Sequence, residues 1–305
     1  MNRRSFLGNM GAAALAIRFP PKEEQLVERW SWAMGQPVHL QLFAASRDHG
    51  LTVAAAAIAE LRRVEQHLSL FDDSSDLVEL NRHAGRTGLR VGRDLRYILA
   101  AALQLQQVTR GAFNPAIEPL MRAWGFREPR SSEPTAREIS EAQQAVEAAV
   151  VVLDRDRVTL PSAHTRLDLG GIGVGYGLDR AAAVLRAGGI RRAFLDISGD
   201  CLALGSPPGQ EGWLVEIAGS HGDPRQMRST RLRDAALATS ANTQSVVRYG
   251  RAVRGHVMDP DTGWPADALT QATVVAATGI EADAFSTGML VSGRPAKGVL
   301  RFYQR

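Results

Sequence analysis

Between Asp168 and Asp179 the chain reads Asp-Leu-Gly-Gly-Ile-Gly-Val-Gly-Tyr-Gly-Leu-Asp, five glycines held between two aspartates. Glycine at that density lets the backbone pass close to a ligand or to another backbone, because no Cβ stands in the way. The segment leads directly into the helical pattern Leu178-Asp-Arg-Ala-Ala-Ala-Val-Leu-Arg-Ala187, and a helix start favours anionic groups. The spacing fits neither Gly-x-Gly-x-x-Gly nor the P-loop, so neither a Rossmann nor a Walker site is licensed. At this point two readings stand: a ligand-binding turn, or a strand–helix junction that needs its glycines for packing.

The elements around this segment are mixed. Met34-Gly35 reads as a turn, followed by a strand in which Val38, Leu40 and Leu42 alternate. A helix follows with Ile58, Leu61, Val64 and Leu68 on one face. Two more helices are expected at 95–109 and 135–150, with Ser131-Ser132-Glu133-Pro134 as the start signal of the later one. Val151–Pro161 predicts two short β segments around a polar turn, and the helix after the glycines ends at Gly188-Gly189. The last third is richer in strands (212–219, 251–259 and 271–278) before a closing helix at 282–291. Strands and helices do not alternate strictly, which argues against a barrel or a doubly wound sheet. The expectation is one continuous α+β domain of mixed strands and helices from about residue 30 to 305.

Composition narrows the function. Apolar residues make up 45% and charged residues 22% of 305 residues, with a formal net charge of +4, which is ordinary for a globular chain. Lys occurs only at Lys22 and Lys297, and no basic run is interleaved with aromatics, so no nucleic-acid partner is expected. Cys201 is the single cysteine. It has no partner for a disulfide or a zinc site, and its apolar surroundings suit a buried thiol. Residues 1–20 read separately: Arg3-Arg4-Ser5-Phe6-Leu7, a short apolar stretch and Ala14-Leu15-Ala16 form a twin-arginine pattern with a small-residue cleavage site. That predicts export, to the periplasm or across the inner membrane.

Two further segments carry chemistry. In Thr278-Gly-Ile-Glu281-Ala-Asp283-Ala-Phe-Ser286-Thr287, Thr278 and Glu281 have capping-box spacing. Asp283 and Thr287, four apart, share a helical face; a carboxylate and a hydroxyl are oxygen donors suited to Mg²⁺. In Arg254-Gly-His256-Val-Met258-Asp-Pro-Asp-Thr-Gly263, the Asp-Pro-Asp-Thr-Gly run is a turn, and His256 before it is either a base near neutral pH or a strand-end histidine.

Taken in order, the segments resemble the FAD:protein FMN transferase (ApbE) family. Met34-Gly35 is similar to the family's early Met-Gly, and Leu68–Asn81 to its helix-end block. Gly111-Ala-Phe-Asn114-Pro and Trp124-Gly-Phe126 resemble its Gly-Ala-Phe-Asp-Pro and Trp-Gly-Phe. The glycine segment, Ala238-Thr-Ser240, His256-Val-Met-Asp-Pro and Ala282-Asp-Ala-x-x-Thr287 complete the series.

The resemblance implies an ApbE-like α+β fold with a T-fold-like core, and a Mg²⁺-dependent transfer of FMN from FAD to a Thr or Ser of an acceptor flavoprotein, with release of AMP. Acceptors implied include subunits of membrane-associated redox complexes. It further implies Asp283, Thr287 and the Gly171 carbonyl as Mg²⁺ ligands, with Ser286 where some relatives offer another oxygen. His256 is the implied general base. Met34, Phe71, Ala112, Phe113, Asn114, Asp168, Val174 and Met258 match positions that line the FAD site. Departures are Val174 where many relatives have Lys, Asn114 for Asp, Ala241 for Gly, and Ser198 in place of a Gly. The alternatives are an FAD pyrophosphatase giving FMN and AMP, or a non-catalytic FAD-binding protein.

Overall fold

The protein is described by a computed structural model covering residues 24–218, 227–243 and 245–304; the twin-arginine segment lies outside the described residues. In chain order the elements are β1 (Gln25–Ala33), β2 (Gln36–Ala44), α1 (Arg47–Leu68), α2 (Asp76–Arg82), β3 (Leu89–Arg90), α3 (Arg93–Val108), α4 (Glu118–Ala123) and α5 (Ala136–Glu147). They continue with β4 (Val152–Asp154), β5 (Arg157–Thr159), α6 (Gly170–Ala187), β6 (Arg192–Ile197), β7 (Asp200–Leu204), β8 (Trp213–Ile217) and β9 (Arg228–Leu232). The remainder is β10 (Ala235–Ala241), β11 (Val246–Tyr249), β12 (Ala252–Gly255), β13 (Gln271–Ala276), α7 (Gly279–Ser292) and β14 (Arg301–Gln304).

A seven-stranded sheet in the order β1-β2-β6-β7-β10-β13-β14 forms the centre, and every neighbouring pair in it is antiparallel. Helices α1, α6 and α7 cover one face. The β8–β9 hairpin covers part of the other, packing Trp213, Val215 and Ile217 over Cys201, Leu237 and Val275. β13 is buried at all six positions because both its faces are covered. The expected α+β class is therefore the observed one, and Cys201 is the buried thiol that its surroundings suggest.

Four elements differ from their sequence signals. β1 precedes the Met34–Gly35 turn, so the ordered fold reaches back to Gln25; exposed Trp30 and Trp32 break the alternation that would have marked it. The α5 helix starts at Ala136 under a Thr135–Glu138 capping box, not at Ser131–Pro134. The glycines after Asp168 do not precede a helix but form its first half, from Gly170. β14 follows the helix that was expected to close the chain.

The reason for helical glycines is the crossing of α6 and α7. A Cβ on Gly175 would lie 2.1 Å from the Gly279 carbonyl oxygen, and one on Gly279 would lie 2.3 Å from that of Gly175. Backbone therefore packs on backbone, which offsets glycine's cost of roughly 1 kcal/mol per helical position. Asp179 of α6 accepts N–H bonds from Gly279 (2.7 Å) and Ile280 (2.9 Å), and the Thr278 hydroxyl accepts from Glu281. Two caps thus fix where α7 begins, and with it the direction in which Asp283 and Thr287 project.

A smaller core around Trp124 anchors the other side. Trp124 is fully buried, donates its indole N–H to the Gly263 carbonyl at 2.8 Å, and meets Trp264 edge-on at 5.0 Å. The Trp-Gly-Phe block thereby holds the turn that follows His256.

Candidate active site

The site is built where the first turns of α6 meet α7 and the loop before α4. Asp283 is buried, and its carboxylate accepts N–H bonds from Gly175 (2.9 Å) and Val174. A Cβ at Gly171 would lie 3.0 Å from the Thr287 hydroxyl and 3.5 Å from the Phe113 ring. Gly171 itself departs from helical geometry (φ −88°, ψ 19°), a kink inside α6. Ser240 of β10 shares a hydrogen bond of 2.8 Å with the hydroxyl of Ser286 and one of 3.2 Å with that of Thr287. The three residues expected to hold a metal, Gly171, Asp283 and Thr287, are thus brought together, with Ser240 and Ser286 beside them.

No cation from the protein balances this cradle: Asp283 has no Lys, Arg or His partner among the described residues. Burial pushes its carboxyl up to about 7. Asp200, which accepts the Thr239 N–H at 2.9 Å, is raised well above the usual carboxylate range by burial and by the charge of Asp283. A buried carboxylate that raises a half-buried neighbour is relieved by a divalent cation. One carboxylate with hydroxyl and carbonyl oxygens is donor chemistry for a hard cation, and among the described residues no group of three His, Cys, Asp or Glu side chains competes with it. The residues present fit Mg²⁺.

The second half of the site lies along the irregular segment that leads into α6. Asp168 accepts from the Gly170 N–H at 2.7 Å and forms an ion pair with Arg127. The Arg127 guanidinium stands 5.6 Å from the centre of the Phe71 ring, whose residue is 85% exposed. His256 lies close enough to feel both charges. Burial, and secondarily Arg127, lower its pKa below 6.5, against the Ser245 contact and Asp168, which raise it. Its Nδ1 is buried with no partner. Asn242 holds the backbone here, accepting the Val257 N–H at 2.9 Å and donating to the Ala266 carbonyl at 2.6 Å.

The remaining expected residues are distributed unevenly. Phe113 packs on Gly171, and the Asn114 side chain is engaged locally with the Ala116 N–H at 2.9 Å. Val174 contributes its backbone N–H to Asp283 and a half-buried side chain. Met34, at φ 57° in the β1–β2 turn, has its sulfur against Gly177 of α6. Ala112 lines a cleft of about 540 Å³ that passes behind Thr109 and Gly288. Met258 is buried with Trp124 in the smaller core and supports the His256 turn. Sequence reasoning missed Arg127, Glu118, Asp200 and Asn242. Arg127, Asp200 and Asn242 meet partners 15 or more residues away, so no local spacing marks them, and Glu118 pairs with Arg122 at ordinary helical spacing, which reads as a surface pair.

A family model described as the ApbE family matches residues 34–304. The FAD:protein FMN transferase of Haemophilus influenzae is 26% identical over 92% of this chain and 85% of its own length. That of Treponema pallidum is 30% identical over 76% and 69%. Among solved structures, the ApbE protein of Thermotoga maritima superposes with a TM-score of 0.79 at 26% identity, covering 88% of this chain and 87% of its own. The apo form of the flavinyl transferase ApbE of Pseudomonas stutzeri gives 0.77 at 25% identity, covering 88% and 85%.

Proposed function

The chain belongs to the ApbE family, and on that premise we propose that it is an FAD:protein FMN transferase: it cleaves the FAD pyrophosphate, joins FMN through its phosphate to a Thr or Ser of an acceptor protein, and releases AMP. The observation that carries the reading is the buried Asp283 carboxylate, which has no cationic partner among the described residues, close to the Ser240, Ser286 and Thr287 hydroxyls and near enough to half-buried Asp200 to raise it. Asp283, Thr287 and the Gly171 carbonyl would hold Mg²⁺, which supplies neutralisation of charge on the two phosphates.

Phosphoryl-type transfer asks the protein mainly for positioning and electrostatics. Phe71 presents a free aromatic face to a flavin or adenine ring. Asp168, fixed by Arg127 and the Gly170 N–H, offers acceptor oxygens to the nucleotide. His256 takes the proton from the acceptor hydroxyl as that oxygen attacks the FMN phosphorus. Its lowered pKa keeps the ring neutral, and so able to accept, at neutral pH. Export, read from the twin-arginine segment, would place the reaction among membrane-associated redox subunits outside the cytoplasm.

The test is AMP release from FAD with Mg²⁺, measured with and without an acceptor flavoprotein. Acceptor-dependent release with fluorescent labelling of the acceptor supports transfer; equal release with no labelled protein makes the chain a hydrolase. The pH profile adds a finer check. The base works only when neutral, so the rate should fall as pH drops through the folded pKa, with a midpoint below the 6.5 of an ordinary histidine. His256→Gln should cost about 10²–10⁴-fold and abolish that acidic limb. A limb that persists unchanged in His256→Gln would assign it to another group.

A further inference from the structure

Glu118 and Arg127 form a charged pair that the chemistry above does not explain. Glu118 is 4% exposed, at the first position of α4. Its Oε1 lies 3.8 Å from Arg127 Nε, within ion-pair range but beyond a hydrogen bond, and 3.3 Å from Arg122. Arg127 continues the chain of contacts to Asp168 and over the Phe71 ring. A buried ion pair is costly to keep and weak evidence of stability. This one is moreover incompletely satisfied.

Among the described residues, five buried side-chain polar atoms have no hydrogen-bond partner. Three of them, Glu118 Oε2, Arg127 Nε and His256 Nδ1, belong to this one neighbourhood. Buried polar atoms are ordinarily paired. The three idle atoms gather around Arg127, whose guanidinium lies over the exposed Phe71 ring, so this buried charge cluster is held at a cost that packing alone does not explain. The segment Asp168–Asp179 contributes no Lys or Arg, and Arg127 is the cation that pairs with Asp168. Both carboxylates already balance its charge, so what it offers is its planar guanidinium standing over the Phe71 ring, rather than net charge.

We propose that Arg127, held by Glu118, is a positioning residue that fixes Asp168 and Phe71 against a planar heteroaromatic ring of FAD and thereby sets the affinity for the dinucleotide. The inference rests on the transferase reading for the identity of the ligand. Arg127 stacks with the ring and orients the Asp168 carboxylate toward the ring's donors. Glu118 keeps the guanidinium from rotating away.

The experiment measures binding of FAD, FMN and ADP to the full chain by flavin fluorescence and calorimetry, beside transfer kinetics. Arg127→Gln should weaken FAD binding by about 10–100-fold, the loss of one charge-assisted contact and a stacked face. It should raise KM for FAD by a similar factor and change kcat much less. Arg127→Lys, which keeps the charge but not the planar fork, should recover little. Glu118→Gln should move binding the same way by a smaller factor, and provides a second reading if Arg127→Gln folds poorly. Arg127→Gln combined with Asp168→Asn should be no worse than the weaker single variant. Whichever of FMN or ADP loses affinity in Arg127→Gln identifies the ring as flavin or adenine. FAD affinity and KM unchanged in folded Arg127→Gln and Glu118→Gln would overturn the inference while leaving the transferase reading intact. Wild-type protein that binds FAD in an Arg127-dependent way but transfers nothing would overturn the transferase reading and leave the inference standing.

Discussion

Asp283→Asn is expected to lower FMN transfer by about 10³-fold or more while the chain stays folded, because a lost metal ligand removes several kcal/mol of charge stabilisation and each 1.36 kcal/mol is tenfold in rate. The amide keeps an oxygen to accept the Gly175 N–H, so the α6–α7 contact survives. What disappears is the buried negative charge on α7. The same group predicts a pH effect in metal-free protein. The folded Asp283 carboxyl titrates at about 7, above its unfolded value of 3.8. Its contribution to stability is therefore complete below the unfolded value and is lost as pH rises through about 7. Thermal melts in chelator should drop between about pH 4 and pH 7 and level off above that, Mg²⁺ should restore the loss most above pH 7, and Asp283→Asn should remove both effects. Full transfer by Asp283→Asn, or melts that ignore pH and Mg²⁺ alike, would withdraw the metal assignment.

Gly175→Ala should be the most damaging small substitution in the fold. The new methyl would stand 2.1 Å from the Gly279 carbonyl oxygen and 2.8 Å from the Asp283 Cβ. Backbone cannot rotate out of the way as a flexible side chain would, and α7 is pinned at its start by Asp179 and Thr278. Overpacking costs about 1–3 kcal/mol in ordinary cores; with two rigid helices in contact the upper end applies, a fall in melting temperature of about 6 °C or more. Gly173→Ala, two residues earlier in the same run, meets nothing within 4 Å and should be neutral or slightly stabilising by helix propensity. Equal melting temperatures for the two variants would show that the glycine run is not a packing device.

These two glycines also show what the sequence could and could not reveal. Five glycines in twelve residues suggest a loop, because glycine is a poor helix former; only the partner helix, more than 100 residues away, explains why a helix forms there. Local signals fared better. The Met34–Gly35 turn has both residues at positive φ (57° and 68°), the Val38-Leu40-Leu42 alternation points into the core, and Thr278 caps α7 as its spacing to Glu281 predicts. The metal cradle was legible in part, since Asp283 and Thr287 share a helix face, and the resemblance supplied Gly171. Asp200 was not, because its link to Asp283 runs through the sheet. Arg127 was hidden for a similar reason: an ion pair across 41 residues to Asp168 leaves no period or motif in either segment.

The most direct measurement is the intact mass of a candidate acceptor flavoprotein after incubation with this protein, FAD and Mg²⁺. The account predicts an increment of one FMN less water on a Thr or Ser peptide, matched by AMP and absent with Asp283→Asn. An acceptor of unchanged mass, with FAD intact or converted only to free FMN, would contradict it.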